Sequence, residues 1–177
     1  MRKIKKGKHI NIIVGKSGSG KNYVCEASGL VGIPSYTTRQ KRFGEEHGVE
    51  HLFVKVKSRK AFLKRLDKIN KAAYTVFNKH HYWATFEQFE DKKYTAYIVD
   101  TKGLDDILKY SANKQIKRQI KIYFIDAPWD YRFKRMLERG DSLIDTISRL
   151  THDMHAFNNF EEITDKYKMK YTIIDNR

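Results

Sequence analysis

Residues 10–22 read Ile10-Asn11-Ile12-Ile13-Val14-Gly15-Lys16-Ser17-Gly18-Ser19-Gly20-Lys21-Asn22, and Tyr23 to Ser28 continue as a helical stretch. A short apolar strand, a glycine-rich turn and a helix in that order make a phosphate-binding loop. Glycines let backbone N–H groups turn inward on an anion, and the next helix presents its positive end to the same anion. Lys21 is spaced to reach the terminal phosphates of a nucleoside triphosphate. The usual pattern follows that lysine with Ser or Thr, whose hydroxyl helps hold Mg²⁺; here Asn22 takes the place. A glycine turn that merely caps a helix is the simpler alternative. The strand before it and the nearly complete pattern favour the phosphate loop.

Composition sets the outer bounds. A chain of 177 residues has room for one well-filled core, and 40% hydrophobic with 32% charged residues describes a globular protein rather than a disordered one. A single cysteine, Cys25, excludes an internal disulfide framework and suits a reducing setting. No apolar run approaches the roughly 20 residues of a membrane span. The N-terminal cluster Arg2, Lys3, Lys5, Lys6 and Lys8 is not followed by the apolar run of a signal peptide. A cytoplasmic protein without a membrane partner is expected. The net charge of +15 allows a nucleic-acid partner, but the lysines are scattered at helical spacing, as on a solvated face.

Further along, Ile33-Pro34 is an extended turn and Ser35 to Gly48 reads as a polar loop carrying Arg39 and Arg42. Two guanidiniums three residues apart on a hydroxyl-rich turn suit bidentate capture of a phosphate. His51 to Val56 alternates as a strand, Ser58 opens a helix with Ala61, Phe62, Leu63, Leu66 and Ile69 on one face, and Ala73 to Phe77 is another strand. His80 to Thr85 reads as an aromatic-rich connection whose histidine pair lacks the companions of a metal site. Tyr94 to Val99 is a strand with Asp100 at its carboxyl end, where ligands sit in parallel sheets; capping the next helix is its other reading. Ile120 to Ile125 is a strand, Trp129 to Glu138 a basic helix, and Gly140-Asp141-Ser142 a break. A long helical pattern through Leu143, Ile144, Ile147, Leu150, Met154 and Phe157 leads to the last strand, Tyr171 to Ile174. The alternation predicts a three-layer α/β domain with a parallel sheet, interrupted by an inserted subdomain at residues 35–86.

The order of these pieces resembles the guanylate kinase family. The resemblance rests on the phosphate loop, Ser35-x-x-x-Arg39-x-x-Arg42-x-Gly44-Glu45-x-x-Gly48, Phe53-Val54, the aromatic-Ala-Thr turn and Asp100-x-x-Gly103. Asp126-x-Pro128, Arg135-x-x-x-Arg139-Gly140 and Arg149-Leu150 extend it over residues 8 to 176. It implies a single guanylate-kinase-like domain with a phosphate-loop core (1–34 and 87–177), a monophosphate-binding insert (35–86) and a lid (136–146). The implied reaction moves the γ-phosphoryl of ATP, with Mg²⁺, onto a nucleoside monophosphate such as GMP or dGMP. Gly15, Ser17, Gly18, Ser19, Gly20, Lys21, Asn22 and Arg135 would bind ATP. Ser35, Arg39, Arg42, Glu45, His51, Tyr74, Trp83 and Thr85 would surround the monophosphate. Lys21, Arg135, Arg139, Arg149 and Asp100 would be catalytic, with Asn22 and Asp100 near the metal or its waters. A monomer or homodimer would serve.

The departures from the family pattern are specific. His51 and Trp83 stand where the family has tyrosines, Tyr74 where a glutamate reads the guanine edge, and Ile98 where an aspartate precedes Asp100. Guanine's N1–H and N2–H want carboxylate acceptors, and each unpaired donor costs about 1–3 kcal/mol. Another base or a deoxynucleotide therefore stays open. Asn22 and Asp175, the latter where an asparagine often helps bind the ATP base, are further departures. A catalytically inactive, nucleotide- or partner-binding relative is a second reading, and a basic nucleic-acid-associated protein a third.

Overall fold

The structure, a computed structural model, describes Ile4, residues 9–42 and residues 44–177. The N-terminal basic cluster (Arg2, Lys3, Lys5, Lys6, Lys8) and Phe43 lie outside the described residues. Strand β1 (Ile10–Val14) sits inside an all-parallel sheet of order β6–β1–β7–β8, with β6 Ala96–Val99, β7 Ile120–Asp126 and β8 Tyr171–Asp175. Parallel strands covered on both faces read as continuous apolar runs, and every residue of β1 is buried. Ile10, Ile12 and Val14 pack with Leu104, Ile107 and Leu108 of helix α4 (Thr101–Ala112). Ile13 points the other way, to Val24 and Cys25 of α1 (Lys21–Ala27). One strand thus feeds two cores, which makes the sheet the middle of three layers.

The second sheet has the order β3–β2–β5–β4: β3 His51–Phe53, β2 Ser35–Thr37, β5 His80–Thr85 and β4 Lys71–Phe77. β2 runs parallel to β3 and antiparallel to β5, which pairs antiparallel with β4. Two expectations are corrected here. Ser35–Thr37 begins the supposed polar loop as a strand, and His80–Thr85 is a strand rather than a connection. The hairpin closes at Asn78 and Lys79, both with positive φ, as a two-residue turn matched to strand twist demands. Helix α2 (Arg59–Asp67) is capped by Ser58, whose Oγ accepts from the Ala61 N–H at 3.4 Å. The short α3 (Phe86–Glu90) returns the chain to the main sheet, and Asp106 of α4 accepts from the Tyr74 N–H at 3.2 Å, tying β4 to the core.

Helices α5 (Trp129–Glu138), α6 (Leu143–Ala156) and α7 (Phe160–Lys166) complete the chain. The apolar pattern on α6 reads as a core face, yet Leu143, Ile144, Ile147 and Met154 are exposed. The buried residues of α6 are Thr146, Leu150 and Asp153. A buried aspartate has to be paired, and its partners decide which face of α6 turns inward. Among the described residues no helix is long and apolar enough to cross a membrane.

Candidate active site: a glycine-rich loop and an arginine turn on one cleft

The glycine-rich loop joins the carboxyl end of β1 to α1. Its shape depends on close backbone approach. A Cβ on Gly15 would collide with the Ile125 carbonyl oxygen, and one on Gly18 (φ 74°) would stand 2.5 Å from the Arg132 carbonyl oxygen. Asn176, after β8, donates its side-chain N–H to the Ser19 carbonyl at 2.9 Å and so braces the loop from behind. Lys21 lies beneath the loop, with Nζ donating to the carbonyls of Gly15 (2.7 Å) and Lys16 (2.9 Å). Burial lowers its pKa to about 8; Asp153 pulls it up, and Arg139 and Arg132 push it down. A buried ammonium flanked by guanidiniums is an anion-seeking group.

One cleft is lined by Gly15, Ser17 and Lys21 on one side and by Ser35, Arg39, Arg42 and His51 on the other. Asp100 and Arg149 border it as well. The expected triphosphate and monophosphate segments therefore face each other. Register places Ser35 opposite His51 in neighbouring strands, and the Ser35 hydroxyl and His51 Nδ1 are hydrogen-bonded at 2.9 Å. Burial and the nearby Arg39 charge lower the His51 pKa, favouring a neutral ring. Arg39 makes a bidentate pair with Glu45, each N–O distance 2.8 Å, and its guanidinium lies 5.5 Å from the Phe53 ring centre. Glu45 also accepts from the Arg42 backbone N–H at 2.8 Å. That carboxylate stiffens the whole turn and aims both arginines.

Burial pushes the Glu45 pKa up, but the hydrogen bonds from Arg39 and Arg42 and their charges bring it down from 4.5 to about 2. A carboxylate depressed on folding contributes stability that is present above its unfolded value and is lost as pH falls through its folded value. Urea unfolding of wild type and Glu45→Gln should therefore differ most above pH 4.5 and converge as pH approaches 2. A difference that persists undiminished at the acid end would contradict this pairing.

The arginines near the α5–α6 corner divide. Arg139 pairs with Asp141, and Arg149 stands 3.6 Å from the same carboxylate, too far for a hydrogen bond. Arg149 Nε is buried with no hydrogen-bond partner, and its guanidinium lies 5.0 Å from the Phe77 ring centre. Arg42 feels burial first and then the repulsion of Arg39, Arg149 and Arg139, all of which lower its pKa. Arg39, Arg42 and Arg149 line the cleft, whereas Arg139, paired with Asp141, lies outside that lining and borders an adjoining pocket that shares those three arginines. Arg135, expected with this group, is elsewhere: it donates to the Asn176 carbonyl at 2.9 Å, behind the loop and outside the cleft lining.

Strand register corrects three more expectations. Thr75 and Phe77 of β4 and Tyr82 of β5 line the cleft, so their neighbours Tyr74 and Trp83 point away. Trp83 is buried and stacks on Tyr36 with ring centres 5.3 Å apart. The Tyr74 hydroxyl is hydrogen-bonded to His81 Nδ1 at 2.7 Å. Thr85 caps α3 in a reciprocal box with Gln88 and is outside the cleft lining. Asp175 pairs with Arg177 and is exposed.

Asp100 caps α4, accepting from the Gly103 N–H at 2.8 Å, and is also among the residues that line the cleft. Asn22 is exposed at the start of α1 and is not part of the cleft lining. Among the described residues no cluster of three or more metal-ligating side chains exists. Mg²⁺ needs only one or two carboxylates when substrate phosphates supply the rest, and Asp100 lines the cleft with Lys21, whereas the Asp153 carboxylate is committed to Arg132 and Ser17. The donor set therefore fits a phosphate-bound Mg²⁺ through the Asp100 carboxylate rather than through Asn22.

Several site residues escaped the sequence reading. Arg132 and Asp153 form a buried ion pair at 2.9 Å. Asp153 accepts from the Ser17 N–H at 2.6 Å, and Arg132 Nε donates to the Ser17 carbonyl at 2.9 Å. These contacts join α5 and α6 to the loop across more than a hundred residues of chain, a separation with no local signal. Thr75, Tyr82, Tyr97 and His152 were hidden by strand register and helix rotation.

Comparison of the sequence with protein-family models and with curated proteins gives no match. Among solved structures the chain is similar to guanylate kinase from Anaplasma phagocytophilum, with a TM-score of 0.58 and 17% identity over 97% of this chain and 79% of that one. The fold is thus guanylate-kinase-like: a phosphate-loop α/β fold with a parallel four-stranded sheet flanked by helices.

Proposed function

We propose that the protein is an ATP-dependent nucleoside monophosphate kinase. The observation that carries this reading is the single cleft lined by Lys21 and the glycine-rich loop together with Arg39, Arg42 and Arg149, whose Nε has no hydrogen-bond partner. Phosphoryl transfer asks a protein mainly to align two charged substrates and to neutralise the transferring oxygens. In this reading Gly15, Ser17, Gly18, Ser19, Gly20 and Lys21 hold the ATP phosphates, and Arg39 and Arg42, with Ser35 and His51 beside them, hold the acceptor phosphate. Arg139 and Arg149 close from the α5–α6 corner, and Arg135 braces the loop. Asp100 would help hold Mg²⁺, which would supply further positive charge to the phosphates. The acceptor is GMP, dGMP or a related nucleoside monophosphate, and the cytoplasm is the setting this chemistry suits.

Selection of the base rests on Thr75, Phe77, Tyr82, Tyr97 and Ile98, because no carboxylate points into the cleft from β4 among the described residues. The second reading, a binding module without turnover, is favoured by one observation: Asn22 offers neither a hydroxyl nor a place in the cleft. A coupled ADP-release assay with ATP, Mg²⁺ and a panel of ribo- and deoxynucleoside monophosphates separates the two. Turnover on at least one acceptor is expected. No turnover above a Lys21→Ala control on any of them would leave the binding module standing.

A further inference from the structure

We infer that Asp153 is a built-in anion on the phosphate loop, seated on a donor that the nucleotide phosphate itself requires, and that nucleotide entry displaces it. The inference rests on the kinase reading of the loop. Asp153 is almost fully buried, as is its partner Arg132. Its Oδ2 accepts from the Ser17 backbone N–H at 2.6 Å and from Arg132 Nη2 at 2.9 Å, and its Oδ1 accepts from the Ser17 hydroxyl at 3.3 Å. Ser17 lies within the turn whose inward N–H groups cradle phosphate. A carboxylate there does what a phosphate oxygen would do: it takes a backbone N–H, sits against a guanidinium and offsets the buried charge of Lys21.

Two anions cannot share that donor. The arriving phosphate either displaces Asp153 or leaves the Ser17 N–H unused, and the cleft-facing position of Asp153 on α6 gives the carboxylate somewhere to go. Once displaced it still faces the phosphates, where its negative charge opposes triphosphate binding and Arg132 alone favours it. Asp153 thereby holds the empty loop in shape and weakens the grip on ATP. It is a positioning residue, distinct from the groups that touch the transferred phosphoryl.

Calorimetric titration of the full chain with ATP and Mg²⁺, and separately with a nucleoside monophosphate, compares wild type with Asp153→Asn. The amide keeps the shape and an acceptor for Ser17 but removes the charge. Replacing a charge-assisted hydrogen bond by a neutral one should tighten ATP binding about tenfold, with the monophosphate affinity unchanged. An unchanged or weaker ATP affinity in a folded variant overturns the inference, because a carboxylate that only braces the loop would give that result. A second measurement needs no variant. At saturating ATP the ¹³C carboxyl resonance of Asp153 and the amide of Ser17 should shift together in the wild-type chain. A Ser17 amide that moves while the Asp153 carboxyl stays fixed also overturns it. Failure of wild type to bind ATP at all overturns the kinase reading first, and this inference with it.

Discussion

Lys21→Ala should lower the rate of phosphoryl transfer by on the order of a hundred- to a thousandfold, the usual loss when one preorganised positive group is removed from a transferring centre. Lys21 Nζ spends its hydrogen bonds on the Gly15 and Lys16 carbonyls, so it is held by dipoles, with Asp153 only a nearby counter-charge. Its folded pKa of about 8 lies below the ordinary lysine value, which means that protonation is harder in the folded chain. At neutral pH the charged lysine therefore costs stability, and stability should rise as pH climbs through 8. The variant removes that cost. Thermal unfolding at neutral pH should show a Tm for Lys21→Ala no lower than wild type, while kinetics show the loss of rate. A fall in Tm that parallels the fall in activity would mean that the lysine is structural.

Arg39→Ala should raise the KM for the monophosphate by roughly ten- to a hundredfold, as expected for loss of a bidentate, charge-assisted contact. The KM for ATP should barely move. The asymmetry follows from geometry: Arg39 follows β2 of the second sheet and is oriented by Glu45 and Phe53, whereas the glycine-rich loop follows β1 of the first. A phosphate has to compete with Glu45 for the guanidinium, and Arg42, already repelled by its neighbours, gains a counter-charge in the exchange. Steady-state kinetics with each substrate varied in turn measures both constants. Equal effects on the two would place Arg39 outside the acceptor site.

The parts of this protein written in local sequence are those whose signal is local. The run from Ile10 to Lys21 carries strand, turn and helix start within a dozen residues, and the structure has β1 over Ile10–Val14 and α1 from Lys21. Arg39, Arg42 and Glu45 are equally legible, because a turn only a few residues long brings them together. Register was not legible. Tyr82-Trp83-Ala84 offers two aromatic side chains on opposite faces, and only the pairing of Tyr36 with Trp83 in neighbouring strands sends Tyr82 into the cleft. Nor was the rotation of α6. Leu143, Ile144, Ile147 and Met154 offer it an apolar face, yet Asp153 turns inward because Arg132 and Ser17, distant in sequence, satisfy it there. An exposed Ile144 costs little beside an unpaired buried carboxylate.

The same logic places Arg135. Spacing along α5 puts it one turn from Arg139, but Arg139 is the C-terminal cap residue of the helix and turns to Asp141 while Arg135 remains on the helix body beside Asn176. Helical spacing alone groups them; the end of the helix separates them.

Transfer of label from γ-³²P ATP is the most direct test of the central claim that donor and acceptor phosphates meet in one cleft. With Mg²⁺ and a panel of nucleoside monophosphates, label should appear in a nucleoside diphosphate and the Lys21→Ala chain should form almost none. Label found only in inorganic phosphate, or remaining wholly in ATP with every acceptor, would contradict it.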